Sequence, residues 1–226
     1  MKLAVIPVRA GSKGLKHKNI TPICGKPLYM YTLQEAIWSG LFDKIVVTTD
    51  MQEIIDQLNN EILHSSVSIL RRPDELCGDD VTIAPVVMHA LLHYESREWK
   101  HYSSITTLQA TSPFRTAMHI KAAYRKFEET KADSLISVCE ELHSIWSNNH
   151  GTAVPIKNPA FNRQWETPFY IGNGAIAITK RETLLQYENR FGGHLELFPM
   201  HPFESLDIHT KQDIELAEFY KKQGWA

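Results

Sequence analysis

The chain has 226 residues, with 24 Lys and Arg against 26 Asp and Glu, a formal net charge of -2, and 43% hydrophobic and 22% charged residues. That length accommodates one α/β domain with a large core, and the absence of a Lys/Arg-rich face interleaved with aromatics excludes nucleic acid as the expected partner. No apolar run approaches a membrane span and no signal-peptide core follows Met1, so the expectation is a cytoplasmic protein without a membrane partner.

The charge is unevenly distributed. Lys2, Arg9, Lys13, Lys16, Lys18 and Lys26 all precede the first acidic residue, Glu35, so the remainder of the chain must sum to -8. The apolar run Leu3 to Val8 predicts a first strand, and it feeds Arg9-Ala10-Gly11-Ser12-Lys13-Gly14, followed by Lys18-Asn19. Glycines let backbone N–H groups approach an anion closely, and a local positive field attracts a polyanion. The loop therefore suits a triphosphate. It matches neither the P-loop spacing nor the dinucleotide fingerprint G-x-G-x-x-G, and an ordinary strand-to-helix turn with solvated lysines is the competing reading.

Pro27 in a first turn, Tyr29, Leu33, Ala36 and Ile37 on one face, and Gly40 as a stop predict a helix. A strand over 44–49 completes a βαβ unit with a right-handed crossover. The alternation continues through a helix near 52–60, a strand over 67–70, a helix near 81–96, a strand over 104–108, a helix over 116–130 and a strand over 134–139. The fold expected is α/β, a doubly wound, mostly parallel sheet of Rossmann-like type. Residues 140–170 break the pattern, with Gly151, Pro155, Pro159, Pro168 and five aromatics. Thirty irregular residues inside a compact domain suggest a functional excursion, either docking on a partner subunit or covering one end of the sheet. A strand over 175–179, a short helix over 181–187 and a last helix after the capping box Thr210 to Asp213 close the chain. Cys24, Cys77 and Cys139 are odd in number and have no Cys-x-x-Cys spacing, so they are expected to be reduced and mostly packed rather than bridged or metal-bound.

Ligands of such sheets bind at the C-terminal strand edges beside the topological switch point. The loops there are 9–19, Asp50, 71–82, 109–115 and 205–210. Arg72 could bind a base or phosphate, and Asp207 and His209, two apart in an extended segment, could reach one cation. Arg115 also reads as an ordinary surface residue before a helix, Ser112 as a cap, and His209 as a surface histidine.

The ordered series Pro7-Val-Arg-Ala-Gly-Ser-Lys-Gly14, Gly25-Lys-Pro27, Val47-Thr-Thr-Asp50, Arg72-Pro-Asp-Glu-Leu76, Leu108-Gln-Ala-Thr-Ser-Pro-Phe-Arg115, Asn173-Gly-Ala175 and Ser205-Leu-Asp-Ile-His-Thr210 resembles the acylneuraminate cytidylyltransferases, the CMP-sialic acid synthetases. The resemblance implies cytidylyl transfer from CTP to a nonulosonic acid, with Mg²⁺ and a homodimer whose excursion forms the interface. It implies nucleotide binding by Arg9, Ala10, Gly11, Ser12, Lys13, Lys18, Asn19 and Arg72, with Thr82 on the cytidine side. It implies sugar binding by Gln109, Ser112, Arg163, Gln164 and Asn173. Catalytic roles fall to Arg9, Lys18, Asp207 and His209, and the metal ligands to Asp207 and His209. Three departures stand out. His209 occupies the place of a second carboxylate, which suits Mn²⁺ better than it suits Mg²⁺. Trp146 stands where some members carry a sugar-binding lysine, and Ile171-Gly172 replaces an Arg-Pro pair, so legionaminate or pseudaminate is as open as N-acetylneuraminate. A nucleotide-binding regulatory or scaffold module without turnover, and a nucleotidyltransferase for an ordinary sugar phosphate, are the alternatives.

Overall fold

A computed structural model describes residues 1–11, 14–60, 64–156 and 168–225 of the chain. β1 (Lys2–Val8), β4 (Lys44–Thr49), β5 (Val67–Arg71), β6 (Ser104–Thr107), β7 (Ser134–Glu141), β10 (Phe169–Lys180) and β11 (Leu195–Met200) form one seven-stranded sheet in the order β11-β7-β10-β6-β1-β4-β5. β10 alone runs antiparallel to its neighbours, and the other pairings are parallel. The sheet grows outward from β1 in both directions, so the switch point lies between β1 and β6. The doubly wound, mostly parallel expectation holds.

Both faces of the sheet are covered, as parallel strands require. Along β1, Ala4, Ile6 and Val8 point to one face and Leu3 and Val5 to the other. The first face packs on α1 (Leu28–Ser39), α2 (Gln52–Asn60) and α4 (Ala117–Glu129) through Tyr29, Leu33, Ile54, Leu58, Ile120 and Phe127. The second packs on α3 (Ile83–Glu98) and α5 (Arg181–Tyr187) through Val87, Leu91 and Leu184. Each such side chain contributes about 1.5–3 kcal/mol on burial. A smaller cluster of Ile23, Leu28, Phe114, Ile208, Ile214 and Ala217 fixes α6 (Lys211–Lys222) and the segment before it.

Local signals explain the element ends. Gly40 stops α1 in the left-handed region at φ 61°, where a Cβ is costly. Thr210 and Asp213 form a reciprocal capping box, each side chain taking the other's backbone N–H, and set the start of α6. Thr116 does the same for α4 with His119 in the acidic residue's role.

Several expectations need correction. β11 falls in the stretch between the helix over 181–187 and the last helix, where no element is expected from sequence, and it contains Pro199, which lacks the N–H that a ladder needs. It is tolerated there because β11 is an edge strand paired with β7 only. β10 is 12 residues long rather than five, since the register shift between Gly172 and Ala177, across Asn173 to Ile176, makes a bulge in the strand instead of ending it. The irregular region contains an antiparallel hairpin, β8 (Trp146–Asn149) with β9 (Thr152–Pro155), turning at Gly151 at φ 86°. The cysteines are free but not packed, with Cys24 exposed and Cys77 and Cys139 half-buried. Arg115 is a core residue, 1% exposed, not a surface one. Among the described residues no helix is long and apolar enough to cross a membrane.

Candidate active site

At the switch point, the loops after β1, β5 and β6 and the start of α3 enclose a cavity of about 230 Å³. Its lining includes Arg9, Gly11, Lys18, Asn19, Arg72, Thr82 and Gln109. Residues from three separate stretches of sequence thus meet where the sheet topology directs ligands.

Each cationic residue is held by backbone carbonyls. The Arg9 guanidinium donates to Gly78 O at 3.0 Å and pairs with Asp79 at 2.9 Å, tying β1 to the loop before α3. Arg72 is 3% exposed and donates from Nη2 to Thr48 O at 3.0 Å, while its Nε is buried without a partner. Burial lowers its pKa below the ordinary arginine range, with Cys77 and Asp50 opposing. The loop after β1 is shaped by two bonds: Ala10 N donates to Asp50 Oδ1 at 2.8 Å and Asn19 Nδ2 donates to Arg9 O at 2.9 Å. Ser12 and Lys13 lie outside the described residues.

Lys18 joins this cavity to the C-terminal loop. It is 9% exposed, and its ammonium donates to Ile208 O at 2.6 Å, 190 positions away. Burial lowers the Lys18 pKa, and the Asp207 carboxylate pulls it back up. The two loops touch again at Gly14, where a Cβ would stand 2.5 Å from His209 O, so only glycine fits. Asp207 Oδ2 lies 2.9 Å from His209 Nε2, while Asp207 Oδ1 is buried and unpartnered.

An orphaned buried carboxylate oxygen beside an imidazole and an anion cradle fits a divalent cation. Among the described residues no group of three or more His, Cys, Asp or Glu converges. Such a cation would complete its shell from phosphate oxygens and water, as Mg²⁺ does at phosphate sites.

On the sugar-side residues the picture is mixed. Gln109 lines the cavity, and its amide nitrogen would be 2.6 Å from a Cβ at Gly174, whose φ is +70°. Asn173 is buried with its amide engaged: Oδ1 accepts from Ser137 Oγ at 2.6 Å and Ala175 N at 3.1 Å, and Nδ2 donates to Ser205 Oγ at 2.9 Å. Ser112 is 1% exposed, its hydroxyl has no partner, and it is not on the cavity wall. Arg163 and Gln164 lie outside the described residues. In sequence, Ser205 stands out only as part of the 205–210 loop, and Ser137 is not singled out, since it lies inside β7 with no local signal of its role.

A family model described as cytidylyltransferase matches residues 3–223. The chain is 34% identical over 220 residues to an N-acylneuraminate cytidylyltransferase of Streptococcus agalactiae serotype V, covering 93% of this chain and 51% of that protein. It is 30% identical over 223 residues to a CMP-N,N'-diacetyllegionaminic acid synthase of Legionella pneumophila, covering 96% of this chain and 94% of that one. The chain spans about half the length of the first curated relatives it matches. Among solved structures, a CMP:2-keto-3-deoxy-manno-octonic acid synthetase complexed with CTP superposes with a TM-score of 0.70 at 14% identity, covering 99% of both chains. At that identity the likeness is one of fold.

Proposed function

We propose, for a chain that belongs to the cytidylyltransferase family, that it activates a nonulosonic, sialic-acid-like sugar acid with CTP, releasing pyrophosphate and giving the CMP-sugar for surface glycan biosynthesis. The observation that carries the reading is Lys18. Its buried ammonium faces the cavity from the triphosphate loop and is bonded to the segment bearing Asp207 and His209.

In this reaction the anomeric hydroxyl oxygen bonds to the α-phosphorus as its proton passes to a base, for which the Asp207 carboxylate is the candidate on this chain. The bond from that phosphorus to the bridging oxygen breaks, so that pyrophosphate leaves with those electrons. Such an in-line displacement needs an anchored leaving group and a positioned nucleophile. The cytidine occupies the cavity beside Arg72, Asn19 and Thr82. The triphosphate lies over Arg9 to Lys18, where the Lys13 and Lys18 ammonium groups supply positive charge and Ser12 and the Gly11 amide supply hydrogen-bond donors, while the Ala10 amide shapes the loop through Asp50. Arg9 orders the wall of the cavity through Gly78 and Asp79. Gln109, Arg163 and Gln164 are the sugar-side residues, with the buried Asn173 and Ser112 behind them, and Arg163 suits the sugar carboxylate because a guanidinium pairs with it through two parallel bonds. Asp207 and His209 would hold Mg²⁺ or Mn²⁺ together with the phosphates. Such an ion, when bound, neutralises phosphate charge and lowers the pKa of coordinated water. The test is release of pyrophosphate from CTP across a panel of nonulosonates; CTP binding with no release for any sugar acid would favour a regulatory module.

The active form is a homodimer built on the 140–170 excursion. Trp146 at 53%, Ile156 at 56% and Ile171 at 50% exposure gather apolar surface on the hairpin and the first half of β10, the kind of patch that marks an interface. Equilibrium sedimentation should give a mass about twice the 25.9 kDa of the chain. A fully active monomer would exclude the dimer.

A further inference from the structure

We propose that Arg115 is a positioning residue for the sugar-acid side of the site, fixing the backbone from which Gln109 and the Asn173 bulge project. The inference rests on the cytidylyl-transfer reading above. Arg115 is 1% exposed and forms no ion pair among the described residues. Buried cations are ordinarily paired, because leaving water is costly for an isolated charge. The nearest carboxylate to influence it, Glu35, accepts the Ala117 N–H at 2.7 Å instead. Among the described residues the Arg115 Nε and Nη2 atoms have no hydrogen-bond partner.

Its bonds go to two backbone carbonyls at the sugar-side wall. Nη1 donates to Gln109 O at 3.2 Å and to Ala175 O at 2.9 Å. The first belongs to the loop after β6, the second to the bulge in β10. These segments meet again on the cavity side, where the Gln109 amide rests on Gly174, and Asn173 passes the tie on to Ser205. One guanidinium nitrogen thus pins both halves of this wall from behind. The nucleotide side has its own fastenings, Arg72 to Thr48 O and Asn19 to Arg9 O.

Loosening this wall should therefore weaken use of the sugar acid and leave use of CTP unchanged, since small misplacements of binding groups carry large kinetic costs. In steady-state pyrophosphate release, Arg115→Met should raise KM for the sugar acid at least about tenfold with KM for CTP within about twofold. Arg115→Lys keeps the charge and a donor and should give a smaller shift in the same direction, about threefold. It also serves if Arg115→Met does not fold, as judged by circular dichroism and Tm. Unchanged sugar KM in folded Arg115→Lys, or CTP KM rising in step, would overturn the proposal and leave a purely structural arginine. Absence of turnover by the unsubstituted protein would overturn the functional reading itself, which separates the two failures.

Discussion

Lys18→Met should lower kcat/KM for CTP by about two to three orders of magnitude, the scale seen when one preorganised charge-stabilising donor is removed. Methionine keeps the length and apolar stem of the side chain and deletes only the ammonium. That ammonium has two tasks. On the proposed reading it places a positive charge where the triphosphate would lie, and it holds the Ile208 carbonyl at 2.6 Å, tying the loop after β1 to the segment bearing Asp207. The site is buried, so the charge is poorly screened. A loss smaller than about tenfold, with Tm unaltered, would remove Lys18 from the catalytic machinery.

The second large effect is expected at Asp207. Asp207→Asn preserves shape but removes the charge that a divalent cation requires, and should reduce kcat by about three orders of magnitude or more. The orphaned Oδ1 predicts that the substitution leaves the fold intact, since no hydrogen bond to that atom is broken. His209 refines the expectation. Imidazole is a better ligand for transition metals than for Mg²⁺, so Mn²⁺ should equal or exceed Mg²⁺ in supporting turnover. His209→Ala should shift that ratio back toward Mg²⁺. Strict Mg²⁺ dependence that His209→Ala leaves unaltered would show that the imidazole is not a ligand.

Much of the fold is legible in the residues because its signals are local. The alternation of apolar runs with amphipathic stretches, Gly40 after α1 and the Thr210 capping box each act within a few positions, and each appears in the structure as read. Failures occur where tertiary context overrides local chemistry. Pro199 is compatible with a strand because β11 sits at the sheet edge, and β10 continues past Asn173-Gly174 because the Asn173 amide and the Ser137 hydroxyl bond the backbone of Ala175 and Ile176 where the bulge breaks the ladder. Arg115 looks like a surface residue in sequence, and nothing local announces that its partners are carbonyls at positions 109 and 175.

The site divides the same way. Residues of one loop, such as Arg9, Gly11 and Asn19, can be grouped by inspection. The contact of that loop with the segment bearing Asp207 and His209, made through Lys18 and Gly14, spans nearly the whole chain, and no local signal announces it. The structure adds the physical joint, a lysine ammonium and a glycine without a Cβ, across which the two ends of the chain meet.

The most direct measurement is transfer of label from CTP carrying radioactive α-phosphate to a nonulosonic acid, with the other three nucleoside triphosphates and a set of sugar phosphates in parallel. Cytidylyl transfer predicts label in a CMP-sugar only when CTP and a nonulosonic acid are both present, with pyrophosphate formed in equal amount. Label that remains in CTP with every sugar acid, or that passes to a sugar phosphate instead, would contradict it.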